Sequence, residues 1–151
     1  MKRALAGVVA AVAAVAVMSG SAGAASGPNS VELRQTSPTG KITVVSVGVI
    51  NAVGRDVPLS DTTDKFVYPE GNIFVSHKAL DSDDSFKKDD CVTRHEESGT
   101  YKVTGGTGDY RGAEGGGTYE ARFVSVGCGK HPERFLFTVS ASGRLDIDNN
   151  G

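Results

Sequence analysis

Seven glycines fall between Gly105 and Gly117, and on both sides of them apolar and polar side chains alternate. Tyr101 and Val103 alternate with Lys102 and Thr104 before the glycines, and Tyr119, Ala121, Phe123 and Ser125 resume the period of two after them. The spacing predicts two antiparallel strands joined by a wrapped glycine loop. Glycine has no Cβ, so such a segment serves positive φ angles and close strand crossing. A phosphate-cradling role fails on spacing. After Gly106-Thr107-Gly108 the third glycine comes at Gly112, Arg111 occupies the place a dinucleotide fingerprint requires, and no helical period follows.

The period of two runs through most of the chain. Residues 31–36, 42–53, 65–68, 72–79, 91–97, 100–104, 117–126 and 133–146 read as eight strands. Pro38 and Gly40 end the first, while Pro69-Glu70-Gly71 and Ser98-Gly99 read as hairpin turns. The run 42–53 reads as one long central strand in which Gly48 and Gly54 permit a bend or bulge. Residues 81–90, DSDDSFKKDD, read as a charged loop. With 20 glycines, no tryptophan and no 3.6-residue apolar period after the N-terminal run, the chain is all-β. Eight antiparallel strands suit a single closed barrel, which removes exposed edges. A two-sheet sandwich is the alternative, because alternation alone does not show closure.

Within the glycine segment, Gly105, Gly106, Thr107, Gly108, Tyr110, Ala113 and, one place late, Gly115 resemble a motif shared by allene oxide cyclases and dirigent proteins. These are small eight-stranded barrels of the calycin kind, with bacterial secreted relatives among them. The motif covers about fifteen residues. For residues 31–148 the resemblance implies a barrel whose lumen accepts a small apolar molecule and, where there is catalysis, a cofactor-independent cyclase or isomerase. The lumen carboxylates, asparagine and proline of such cyclases have no match here, so no catalytic residue is carried over.

Residues 1–24 read as an export signal, and 25–30 as a flexible lead. Lys2 and Arg3 precede a run of about fifteen apolar residues, too short to cross a hydrocarbon core as a helix, and Ala22-Gly23-Ala24 supplies a small-residue cleavage site. The expected location is extracellular; a retained N-terminal anchor is the alternative. Of 16 Lys and Arg, Lys2 and Arg3 leave with the signal, so 14 basic face 18 acidic side chains, a net charge of −4. That balance argues against a nucleic-acid or anionic-membrane surface. A homo-oligomer is compatible with it. Cys91 and Cys128 are the only cysteines, and in an exported chain they are expected to form one disulfide.

Known chemical motifs fail in turn. From Asp81 the sixth and twelfth positions are Phe86 and Val92, where a calcium loop needs Gly and Glu. Ser85 and Lys88 match S-x-x-K without the helix that chemistry requires. His77, His95 and His131 lack metal-ligand spacing, so neither a metal nor a cofactor is called for. What the alternation does offer is a lumen. Tyr119, Ala121 and Phe123 share a face, as do Phe135, Phe137 and Val139, while Glu120 and Arg122 point the other way. If the aromatic face is internal, Tyr101, Tyr119, Phe123, Phe137 and His77 wall a small-ligand pocket. If those side chains fill a narrow barrel there is none. Binding ranks ahead of catalysis on this reading, because a lumen enzyme needs a strongly polar group at depth. A filled barrel acting through its surface loops is the third possibility.

Overall fold

Strands that alternate inward and outward leave a sheet with one apolar face, and closing the sheet on itself buries that face. The computed structural model of the chain describes residues 24–148. The expected export signal lies outside the described residues, apart from Ala24. Among the described residues there are eight strands and no helix: β1 Ala25–Gln35, β2 Ile42–Gly48, β3 Ala52–Ser60, β4 Thr63–Tyr68, β5 Gly71–Lys87, β6 Val92–Gly108, β7 Ala113–Val126 and β8 Arg134–Ile147. Each pairs antiparallel with its neighbours in sequence, and β1 pairs with β8 from Ala25↔Ile147 to Gln35↔Phe137, which closes the barrel. The sandwich alternative is excluded.

The strand count agrees with the sequence reading, but two boundaries differ in ways that cancel. The run 42–53 is two strands. Gly48 adopts φ +134°, and the Asn51 side chain both accepts from the Gly48 N–H and donates to its carbonyl, at 3.2 and 2.6 Å, while Asn29 Oδ1 accepts from the Ile50 N–H at 2.9 Å. These bonds stand in for ladder partners, so the chain reverses inside an apolar run. Conversely, Ser98-Gly99 is no turn, and 91–97 with 100–104 belongs to the single strand β6. Gly99 pairs with Tyr119, and a Cβ there would lie 2.7 Å from the tyrosine ring. The glycine makes room for the ring. Residues 25–30, expected as a flexible lead, start β1, with Asn29 buried. The charged stretch 81–90 is mostly strand as well, since β5 runs to Lys87 paired with β6 as far as Lys87↔Val92.

The barrel has a sealed end and an open one. At the sealed end lie the β2–β3, β4–β5 and β6–β7 turns and a core that includes Ile50, Tyr68, Ile73, Tyr110, Leu145 and Ile147. The glycine segment builds the seal. Turning at 109–112, it folds Tyr110 over the barrel end, where its ring meets Tyr68 edge to face at 5.7 Å and its hydroxyl donates to Glu70 at 3.2 Å. Four-stranded β5–β8 runs on past the other end, and there Cys91 and Cys128 are disulfide-bonded with Cα atoms 5.1 Å apart. The bond ties the β5–β6 turn to the β7–β8 turn. A cross-link 37 residues apart in sequence is expected to contribute about 2–4 kcal/mol. Denaturant titration of the Cys91→Ser, Cys128→Ser protein should therefore show a lower midpoint with the barrel still folded.

Candidate functional site

Toward the open end the barrel encloses a cavity of ≈ 270 Å³. Its wall is divided. Strands β8, β1 and β2 contribute Phe137, Val139, Ala141, Val31, Leu33 and Ile42, all apolar. Strands β3 to β7 contribute all of the polar residues, Asp56, Asp64, His77, His95 with Glu97, Tyr101 and Tyr119, together with Pro58, Phe66, Val75 and Ala121. Small-molecule sites typically hold about 300–1,000 Å³, so this lumen suits a small occupant.

Asp56 sits at 8% exposure where β3 passes between Ile42 of β2 and Phe66 of β4. Burial, helped by the charge of Asp64, pushes its carboxyl up to about 7, although the Val57 N–H bond pulls the other way. Its Oδ1 is the one buried side-chain polar atom without a hydrogen-bond partner among the described residues. Burial also raises Asp64, against the pull of His77, whose Nε2 lies 3.3 Å from Asp64 Oδ2. The His77 ring meets Tyr119 edge to face at 5.7 Å. Tyr119 donates to Glu97 at 2.5 Å, and burial, reinforced by that bond, raises its phenol. His95 lies 2.8 Å from Asp84, a bond that raises the imidazole, and 3.6 Å from Glu97. The ionisable groups thus form a chain around half the lumen. Among the described residues no metal-holding cluster occurs.

Compared with known protein families, curated proteins and solved structures, the chain finds no match in any of the three. The likeness to allene oxide cyclases and dirigent proteins therefore stands on the glycine motif, and all of that motif lies at or beside the sealed end, away from the cavity.

Of the residues expected on the lumen wall, Tyr101, Tyr119, Phe137 and His77 line the cavity. Phe123 does not. It is on the inward face of β7, but its ring packs against Phe135 with centroids 5.1 Å apart, beside the cavity rather than in its wall. Glu120 and Arg122 are on the solvent side as expected, where Arg122 lies within 4 Å of Glu96 and Glu120. Asp56, Asp64, His95 and Glu97 were missed. Three of them were recoverable: reading 91–104 as one strand puts His95 and Glu97 on the face of Tyr101 and Val103. Asp64 likewise alternates with Phe66 and Tyr68 on the inward face of β4.

Proposed function

We propose that this is an exported barrel whose lumen binds a small, mostly apolar molecule with one polar end. The observation that carries the reading is the divided wall, with apolar side chains from β8, β1 and β2 facing ionisable groups from β3 to β7 across a cavity of ≈ 270 Å³. Such a surface holds an amphipathic occupant in one orientation, burying its body by the hydrophobic effect and fixing its end by a few polar contacts. The disulfide between Cys91 and Cys128 supports export, since such bonds persist in oxidising compartments. Titration with an apolar fluorescent dye tests the reading. Wild-type protein should enhance the dye's emission saturably, and Ala141→Trp, which fills the apolar side, should abolish the enhancement while leaving circular dichroism unchanged. No enhancement by wild-type protein, or enhancement indifferent to Ala141→Trp, overturns it.

A second reading, a cyclase or isomerase, gains from Asp56, because a buried carboxyl held near 7 can take and give a proton near neutral pH, and the Asp64–His77 pair lies on the same lining. A bound probe recovered unchanged after long incubation favours binding. Conversion that is lost in Asp56→Asn favours the isomerase.

A further inference from the structure

We infer that the polar end the lumen selects is a cation, a protonated amine seated against Asp56 with its apolar body against β8, β1 and β2. The inference rests on the ligand-binding reading and adds the ligand's class. Three carboxyl groups, Asp56, Asp64 and Glu97, line the cavity, and among the described residues no lysine or arginine does. Two of the three have side-chain partners: Asp64 faces His77, and Glu97 accepts from Tyr119 beside His95. Asp56 keeps one oxygen without a partner at 8% exposure. A buried carboxylate without a counter-charge is costly, and a cation that enters the cavity removes the cost. The rings of Phe66, Tyr101, Tyr119 and Phe137 border the same space, and aromatic faces attract ammonium groups. An anionic ligand would face three carboxyl groups and, among the described residues, no lysine or arginine.

The sign of the pH dependence follows. Asp56 is held near 7, so it gains charge as pH rises toward 8, while an alkylamine stays protonated to about 10. The other titratable groups on the lining are His77, His95, Glu97, Tyr101 and Tyr119, and Tyr68 lies beneath Asp56; β1, β2 and β8 add none. The raised His95 loses its charge over the same direction of pH, which also favours a cation.

Isothermal titration with phenethylamine, phenethyl alcohol and phenylacetate compares cation, neutral and anion on one apolar body. At about pH 8 the amine should bind about tenfold or more tightly than the alcohol, the effect of one charged hydrogen bond, and phenylacetate least of all. The amine's advantage should shrink near pH 6 and disappear in Asp56→Asn. Alcohol binding equal to or tighter than amine binding in wild-type protein, or an advantage untouched by Asp56→Asn, overturns the amine assignment and leaves the lumen reading standing. If none of the three binds, the dye titration decides: dye binding overturns the amine assignment alone, and its absence overturns both.

Discussion

Asp56→Asn is expected to make the protein more stable than wild type above pH 7, by up to roughly 4 kcal/mol, and to make little difference near pH 4. A carboxyl at about 7 in the folded chain, against 3.8 as its ordinary value, binds its proton more tightly folded than unfolded. Its contribution to stability is therefore full below pH 4 and is lost as pH rises through 7. The asparagine carries no charge to bury and keeps an acceptor for the Val57 N–H. It also relieves Asp64 of a like charge. Urea denaturation of both proteins across this pH range measures the effect, and a wild-type advantage at pH 8 would contradict the burial argument. A group that costs stability where the protein works is commonly retained for function.

Gly106→Ala should fail to fold or lose more than about 3 kcal/mol. A Cβ at this position would stand 2.0 Å from the Tyr110 carbonyl oxygen and 3.0 Å from that of Asn72. Both are backbone atoms: the Tyr110 carbonyl is held by the turn that seals the barrel, where the Tyr110 N–H donates to Thr107 and its carbonyl accepts from Ala113, and Asn72 is held in the β5–β6 ladder. The first cannot retreat without disturbing the turn that lays Tyr110 on Tyr68, so the overpacking cannot be absorbed by a side-chain rotation. Gly129→Ala is the control, because a Cβ there meets only the His131 carbonyl at 4.0 Å. Its midpoint should match wild type. A Gly106→Ala protein as stable as Gly129→Ala would show that the glycine motif does not seal the barrel.

Alternation made the all-β class and the strand number legible; it left open which face of β7 and β8 points inward, and the exposed Glu120 and Arg122 decide that in the fold. Where both faces are apolar the signal vanishes. In 42–53 the outward positions Val45, Val47 and Val53 are exposed valines, so the run looked like one buried strand, and the turn depended on contacts of Asn29 and Asn51 that sequence order does not display. Gly99 failed for a complementary reason: glycine marks a turn and a close approach alike, and only the neighbours across the ladder, the Lys78 carbonyl and the Tyr119 ring, distinguish them. That misread turn hid His95 and Glu97. Asp56 gave no signal, since the alternation puts residues 54–64 in no strand and so gives them no inward face until the fold places Asp56 in β3.

If the lumen is the binding surface, as proposed, a two-dimensional amide NMR titration with an apolar probe places the contact there directly. Saturable shifts should concentrate at Tyr101, Tyr119, Ala121, Val139 and Ala141, whose side chains line the cavity. Shifts confined to the outer valines Val45, Val47 and Val53, or a spectrum unchanged by the probe, would contradict it.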